Sequence, residues 1–278
     1  MTVFVLLIGL SSGAGCVVTG KAEKGFAAPR AGTDTYRLET RRMTSSSGCR
    51  FDYRLYRPIE LDGPPSKLVV IGHGFLRHQD TMTGLARSLA NNGIPSLTLQ
   101  FCSMRPWNGN HRMNARDMVA VVDRIGATDV VYTGFSAGAL AAVLAAAADA
   151  RARAVVTLDL VDQNELGKTA LRDLDTPLVG YVGEPSRCNR QGAAAMLVTG
   201  APQGLLEMFE NADHCDFEAP SDWLCRRLCG NGQPDSSSTR QRIIERATRR
   251  VRSFFEPATG THRTHGSTAR KHIEMTGS

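Results

Sequence analysis

Hydrophobic positions recur along the chain in two alternating rhythms. Tyr36 to Met43 and Arg50 to Arg57 read as strands, the second with Phe51, Tyr53 and Leu55 alternating with polar neighbours. Leu68-Val69-Val70-Ile71 is instead a short continuous apolar run, the pattern of a strand buried on both faces of a parallel sheet. From there strand and helix patterns alternate. They predict a helix over Asp80 to Asn91, a strand over Pro95 to Phe101, a helix over Met113 to Ile125 and a strand over Val130 to Tyr132. A helix over Ala137 to Ala150 and a strand over Ala154 to Leu158 follow. Past a mixed stretch from Val161 to Thr176 come a strand at Leu178 to Val182, a short helix at Gln191 to Leu197, a last strand at Leu205 to Phe209 and a last helix at Arg240 to Phe255. Such alternation implies βαβ crossovers. The fold class is therefore α/β, one domain over 34–256, with a mostly parallel central sheet and helices on both faces.

The flanks read differently. Val3 to Leu10 is an apolar run followed by small residues and Cys16, so 1–20 has the shape of a signal peptide or lipoprotein signal. A bilayer span needs about 20 apolar residues, which this run does not reach. Gly13-Ala14-Gly15-Cys16 loosely resembles a lipoprotein cleavage box, which would make Cys16 a lipidated N-terminus attached to a membrane. The leucine three residues earlier and the basic leader are missing. Residues 21–33 read as a flexible tether and 257–278, without apolar periodicity, as a disordered tail. The expected location is exported (periplasmic, secreted or lipid-anchored) rather than cytoplasmic.

With 42% hydrophobic and 22% charged residues the chain has ordinary globular composition. Its net charge of +6 is spread over scattered arginines, and the densest group, Arg240 to Arg252, has the spacing of a solvated helix face. No basic patch interleaved with aromatics is present, so nucleic acid is not an expected partner. Apart from Cys16 there are six cysteines: Cys49, Cys102, Cys188, Cys215, Cys225 and Cys229. An even number in an exported chain implies disulfides, with 15 possible pairings. A metal set of Cys188, His214, Cys215 and Asp216 lacks C-x-x-C-type spacing, and neither metal nor cofactor is expected.

Candidate chemistry centres on Val130 to Gly138, V-V-Y-T-G-F-S-A-G. A strand ends in G-x-S-x-G and an Ala-rich helix begins at once, which holds Ser136 exposed at a sharp turn as a nucleophile. A serine hydroxyl needs a base and an acid that orients the base, and strand ends are where loops converge. His214, after the last strand, is the candidate base. His78 and His111 lie in polar stretches with no strand before them, and His262, His265 and His272 lie in the tail. Asp159 and Glu184 each follow a strand, and position alone leaves the acid open between them. The backbone N–H groups of Ala137 and of Phe75, in the turn Gly72-His73-Gly74-Phe75, are the candidate oxyanion donors. His73 would brace that turn at the edge of the substrate cleft. Trp107 and the Val161 to Thr176 stretch would wall it.

These residues carry a resemblance. Gly72 to Phe75, Gly134 to Gly138, the segment T-L-D-L-V-D at Thr157 to Asp162, and His214-Cys215-Asp216 resemble the ordered landmarks of chlorophyllase-like α/β-hydrolases, which are related to dienelactone hydrolases and cutinase-type polyester hydrolases. The late Cys229-Gly230-Asn231-Gly232 before an arginine-bearing helix is similar too. The resemblance spans most of Lys67 to Phe255 and implies an α/β-hydrolase fold with Ser136, His214 and Asp159 as triad. Ala137 stands where chlorophyllases have arginine, and Leu160 replaces the proline of L-D-P-V. In the polyester branch the acid would fall near Ser186, not a carboxylate, which favours Asp159 over Glu184. The implied activity is hydrolysis of a small or lipophilic carboxylic ester without cofactor. An acyltransferase using the same triad, or a silent hydrolase-like surface lipoprotein, are the alternatives. The implied strand order pairs Cys49 with Cys102, and a bridge between Cys188 and Cys215 would clamp the His214 loop as in some polyester hydrolases. Cys225 and Cys229 would then pair with each other or stay reduced.

Overall fold

The computed structural model describes residues 34–45, 48–102, 110–172, 174–230 and 237–256. The expected signal, Cys16, the tether, Trp107 and the tail lie outside the described residues. An eight-stranded sheet runs through the domain in the order β1-β2-β4-β3-β5-β6-β7-β8. The strands are β1 Tyr36–Thr44, β2 Arg50–Pro58, β3 Lys67–Gly72, β4 Ser96–Leu99, β5 Asp129–Phe135, β6 Ala152–Leu158, β7 Leu178–Val182 and β8 Gly204–Met208. β1 and β2 form an antiparallel hairpin, and β2 lies antiparallel to β4. All other neighbours are parallel.

The helices are α1 Thr83–Asn91, α2 His111–Ile125, α3 Ala137–Ala148, α4 Leu166–Arg172, α5 Ala194–Thr199, α6 Trp223–Cys229 and α7 Ser237–Phe255. Two cores lie on opposite faces of the sheet. On one, Leu68, Val70, Val130 and Tyr132 pack against α2, α3, α4 and α5; on the other, Val69, Ile71 and Val131 pack against α1 and α7. The continuous apolar runs of β3 and β5 thus alternate between two buried faces, as a central parallel strand requires. α3 is apolar on every side and almost wholly buried, as a helix wedged between a sheet and its neighbours must be.

Three disulfides are formed by the described residues. Cys49–Cys102 joins the start of β2 to the end of β4, which the antiparallel pairing brings to a Cα–Cα distance of 6.2 Å. The other two correct the expected pairing: Cys188 bonds to Cys229 and Cys215 to Cys225. The reason is α6, for which the sequence offered no pattern. Asp222 caps it by accepting the Cys225 N–H. Cys225 and Cys229, four residues apart, then lie one turn apart on a common face and reach two different loops rather than each other.

Candidate active site

Ser136 sits where β5 passes into α3. Its φ of 55° lies in the left-handed region, a strained conformation for a residue with a side chain. The strand ladder runs up to the turn, with the Ser136 N–H donating to Leu158 C=O at 2.9 Å. The helix starts at once, with Ala139 N–H donating to Ser136 C=O at 3.0 Å. Glycine is required at both flanks. A Cβ on Gly134 would lie 2.5 Å from the Gly138 carbonyl, and one on Gly138 would lie 2.4 Å from the His73 carbonyl.

His214 begins a short 3₁₀ turn, His214–Phe217, held by a reciprocal capping box between Asp213 and Asp216. Its Nε2 lies 3.1 Å from Ser136 Oγ, and its Nδ1 lies 2.6 Å from Asp159 Oδ2. A carboxylate only accepts, so Nδ1 carries the proton and Nε2 is left to receive the serine hydroxyl. The imidazole stacks on Phe135 at 4.6 Å between ring centroids.

Asp159 directly follows β6 with φ 46° and is wholly buried. Its carboxylate also accepts from Gly183 N–H at 3.2 Å and from Asn189 Nδ2 at 3.2 Å. Asn189 is itself fully engaged, donating to Glu184 C=O and accepting from Ser186 and Gly192 N–H groups. Glu184 is not brought to His214: it is exposed, and its carboxylate accepts from Asn211 N–H at 3.1 Å.

A cleft of about 420 Å³ opens over Ser136 and His214. Its walls include Phe75, Leu76, Ala137, Val161, Leu224 and Leu228, with the polar side chains of Arg77, His111, Gln163 and Arg190. Among the described residues, the backbone N–H groups of Phe75 and Ala137 have no hydrogen-bond partner. The Ala137 N–H is the first of α3, at the positive end of the helix dipole. His73 lies behind the turn rather than in the cleft. It is 1% exposed, its Nδ1–H donates to Gly74 C=O at 2.9 Å, and its Nε2 accepts from Phe101 N–H at 3.1 Å. Burial away from water holds its pKa down at about 4, against the Gly74 hydrogen bond and helped by the charges of His78 and Arg77.

Several site residues carried no readable signal. His111, set aside as a polar-loop residue, is the first residue of α2 and lines the cleft with Nε2 2.6 Å from Gln163 Oε1. Arg77 and Asn189 match no motif. The metal set also dissolves: Cys188 and Cys215 are each bonded to a cysteine of α6. No group of three or more metal-ligating side chains is present among the described residues. Nor is any described helix long and apolar enough to cross a membrane.

No protein-family model matches the chain, and no curated protein matches it by sequence. Solved structures do resemble it. The esterase domain of a Rhodothermus marinus protein superposes with a TM-score of 0.56 at 16% identity, covering 78% of this chain and 98% of that one. A CIB-like hydrolase from Thermoplasma acidophilum gives 0.60 at 10% identity, with 78% and 99% covered. Dienelactone hydrolase from Anabaena variabilis gives 0.59 at 15% identity, with 77% and 96% covered.

Proposed function

Taking as premise that the chain has the α/β-hydrolase fold, we propose that it is a serine-dependent carboxylic ester hydrolase of small or lipophilic substrates. The observation that carries this reading is the unbroken hydrogen-bond chain from Asp159 through His214 to Ser136 beneath a largely apolar cleft. His214 Nε2 takes the proton as Ser136 Oγ attacks the ester carbonyl. The oxyanion that forms is met by the N–H groups of Phe75 and Ala137. His214 then protonates the departing alcohol, and water activated by the same nitrogen releases the acyl group. Asp159 keeps the imidazole in its tautomer and offsets its charge while protonated. The three disulfides support an oxidising, exported setting.

The test is hydrolysis of a p-nitrophenyl ester series of increasing acyl length. Ser136→Ala and Asp159→Asn are each expected to lose about 10⁴-fold or more in kcat. Glu184→Gln should stay within about twofold of wild type, because its carboxylate accepts from the Asn211 N–H and, among the described residues, makes no hydrogen bond to His214. A folded wild type that neither turns over any ester nor reacts with a fluorophosphonate would sink the proposal.

A further inference from the structure

The turn that carries Phe75 is anchored two residues to either side. On the sheet side His73 is fixed between Gly74 and Phe101, as above. On the other side Arg77 closes the turn, its N–H donating to Gly74 C=O at 3.2 Å. Its guanidinium then makes a two-pronged pair with Glu218, Nε to Oε2 at 2.9 Å and Nη2 to Oε1 at 2.7 Å. The Glu218 side chain is 0% exposed and that of Arg77 7%. Nη2 also lies 2.9 Å from Asp222 Oδ2, while the other oxygen of Asp222 caps α6. One guanidinium thus joins the oxyanion turn, the segment that follows His214 and the helix that walls the cleft.

A buried ion pair is poor support for stability, since well-packed apolar side chains in its place are often as stable or more so. What a planar fork does provide is geometry: two parallel hydrogen bonds fix both distance and angle, which a lysine ammonium cannot. Geometry is what an oxyanion hole needs, because its donors must stand about 2.7–3.1 Å from an oxygen that carries full charge only in the transition state. We propose that Arg77, paired with Glu218 and Asp222, is a positioning residue that sets the Phe75 N–H against Ser136 and His214. It acts on the transition state rather than on substrate binding. This inference rests on the ester-hydrolase reading above.

The test uses the full, oxidised chain with two variants: the double replacement Arg77→Met/Glu218→Leu, and Arg77→Lys, which keeps the charge and serves should the double variant fail to fold. A short-chain p-nitrophenyl ester reports kcat and KM, an alkylboronic acid that adds to the serine as a tetrahedral anion reports Ki, and thermal melting reports the fold. The double variant should melt near the wild-type temperature. Its kcat should fall about 10- to 100-fold with KM within about twofold, and the boronate Ki should rise in parallel with the fall in kcat. Arg77→Lys should fall between the two. Folded variants with unchanged kcat and Ki would overturn the inference, as would a loss lying wholly in KM, which would make Arg77 a substrate contact. In those cases wild-type activity remains. A folded wild type that neither hydrolyses the ester nor binds the boronate overturns the ester-hydrolase reading, and this inference with it.

Discussion

The serine half of the candidate site and its histidine half are held in place by different means. Ser136 and the N–H of Ala137 stand at the junction of two packed elements: β5 lies in the centre of the sheet, and α3 presses on the ends of β3 and β5 closely enough to exclude a methyl group at Gly138. No covalent link is needed there. The His214 loop leaves β8, the last strand of the sheet, and runs on without regular structure between short turns. It is tied instead by the Cys215–Cys225 disulfide, one residue from His214. Its neighbour, the loop after β7, is tied by Cys188–Cys229, one residue from the asparagine that holds Asp159. The His214 segment is itself buried, with Ala212 and Phe217 in the core beside α7, and the cross-links to α6 add a covalent constraint to that packing.

The largest effect is expected where packing alone does the holding. Gly138→Val places a branched side chain against the Gly72 and His73 backbone, which cannot move without breaking the parallel pairing of β3. A loss of more than about 4 kcal/mol is expected, read as absence of soluble, cooperatively melting protein. A well-folded Gly138→Val variant would show that the elbow is looser than its contacts imply.

Removing cross-links tests the other half. In the chain-entropy model the Cys188–Cys229 bridge, with a sequence separation of 41, stabilises by about 4 kcal/mol. Cys215–Cys225, with a separation of 10, contributes about 3 kcal/mol. Paired Cys→Ser variants should lower the melting temperature in that order. With all four of these cysteines replaced by serine, ester hydrolysis at 25 °C should fall while far-UV circular dichroism stays near native, because Cys49–Cys102 still joins β2 to β4 and the sheet does not depend on α6. Unchanged activity in that folded variant would erase the difference between the halves.

The same division explains what could be read from the sequence. The sheet and the serine turn are local: alternation, apolar runs and G-x-S-x-G each occupy a few consecutive residues, and seven of the eight strands fall within two residues of their expected bounds at both ends. Strand β5 is the exception, continuing through Gly134 to Phe135 because the serine turn prolongs its ladder. Position leaves the candidate acid between Asp159 and Glu184, since both follow strands; what sequence does not show is that Asp159 lies against His214 Nδ1 while Glu184 accepts from the Asn211 N–H. Helix α6 escaped because W-L-C-R-R-L-C is too short and too charged to display a period. The expected Cys188–Cys215 bridge follows from the resemblance to polyester hydrolases and from loops placed beside His214, and α6 supplies the actual partners of both. Arg77 and Asn189 act by pairing with residues 141 and 30 positions away, and no spacing rule reaches that far.

Acid sharpens the comparison from the serine side, where His73 is the sensitive group. Its buried ring works only when neutral: Nδ1–H donates to Gly74, and Nε2 must keep its lone pair for Phe101 N–H. The unfolded chain has an ordinary histidine pKa near 6.5 whereas the folded one holds it at about 4, so between these values the unfolded state binds more protons. Stability from this group is therefore complete above pH 6.5 and is lost as pH falls toward 4, by about 3 kcal/mol. His73→Gln removes the titration, and its unfolding free energy should fall less steeply than wild type between pH 6.5 and 4. The double variant lacking Cys215 and Cys225 should keep the wild-type slope, since that bridge bears no proton and does not touch His73. Equal slopes in wild type and His73→Gln would mean that the Gly72 to Phe75 turn tolerates a charged imidazole. The turn's position would then depend on the Arg77 side alone.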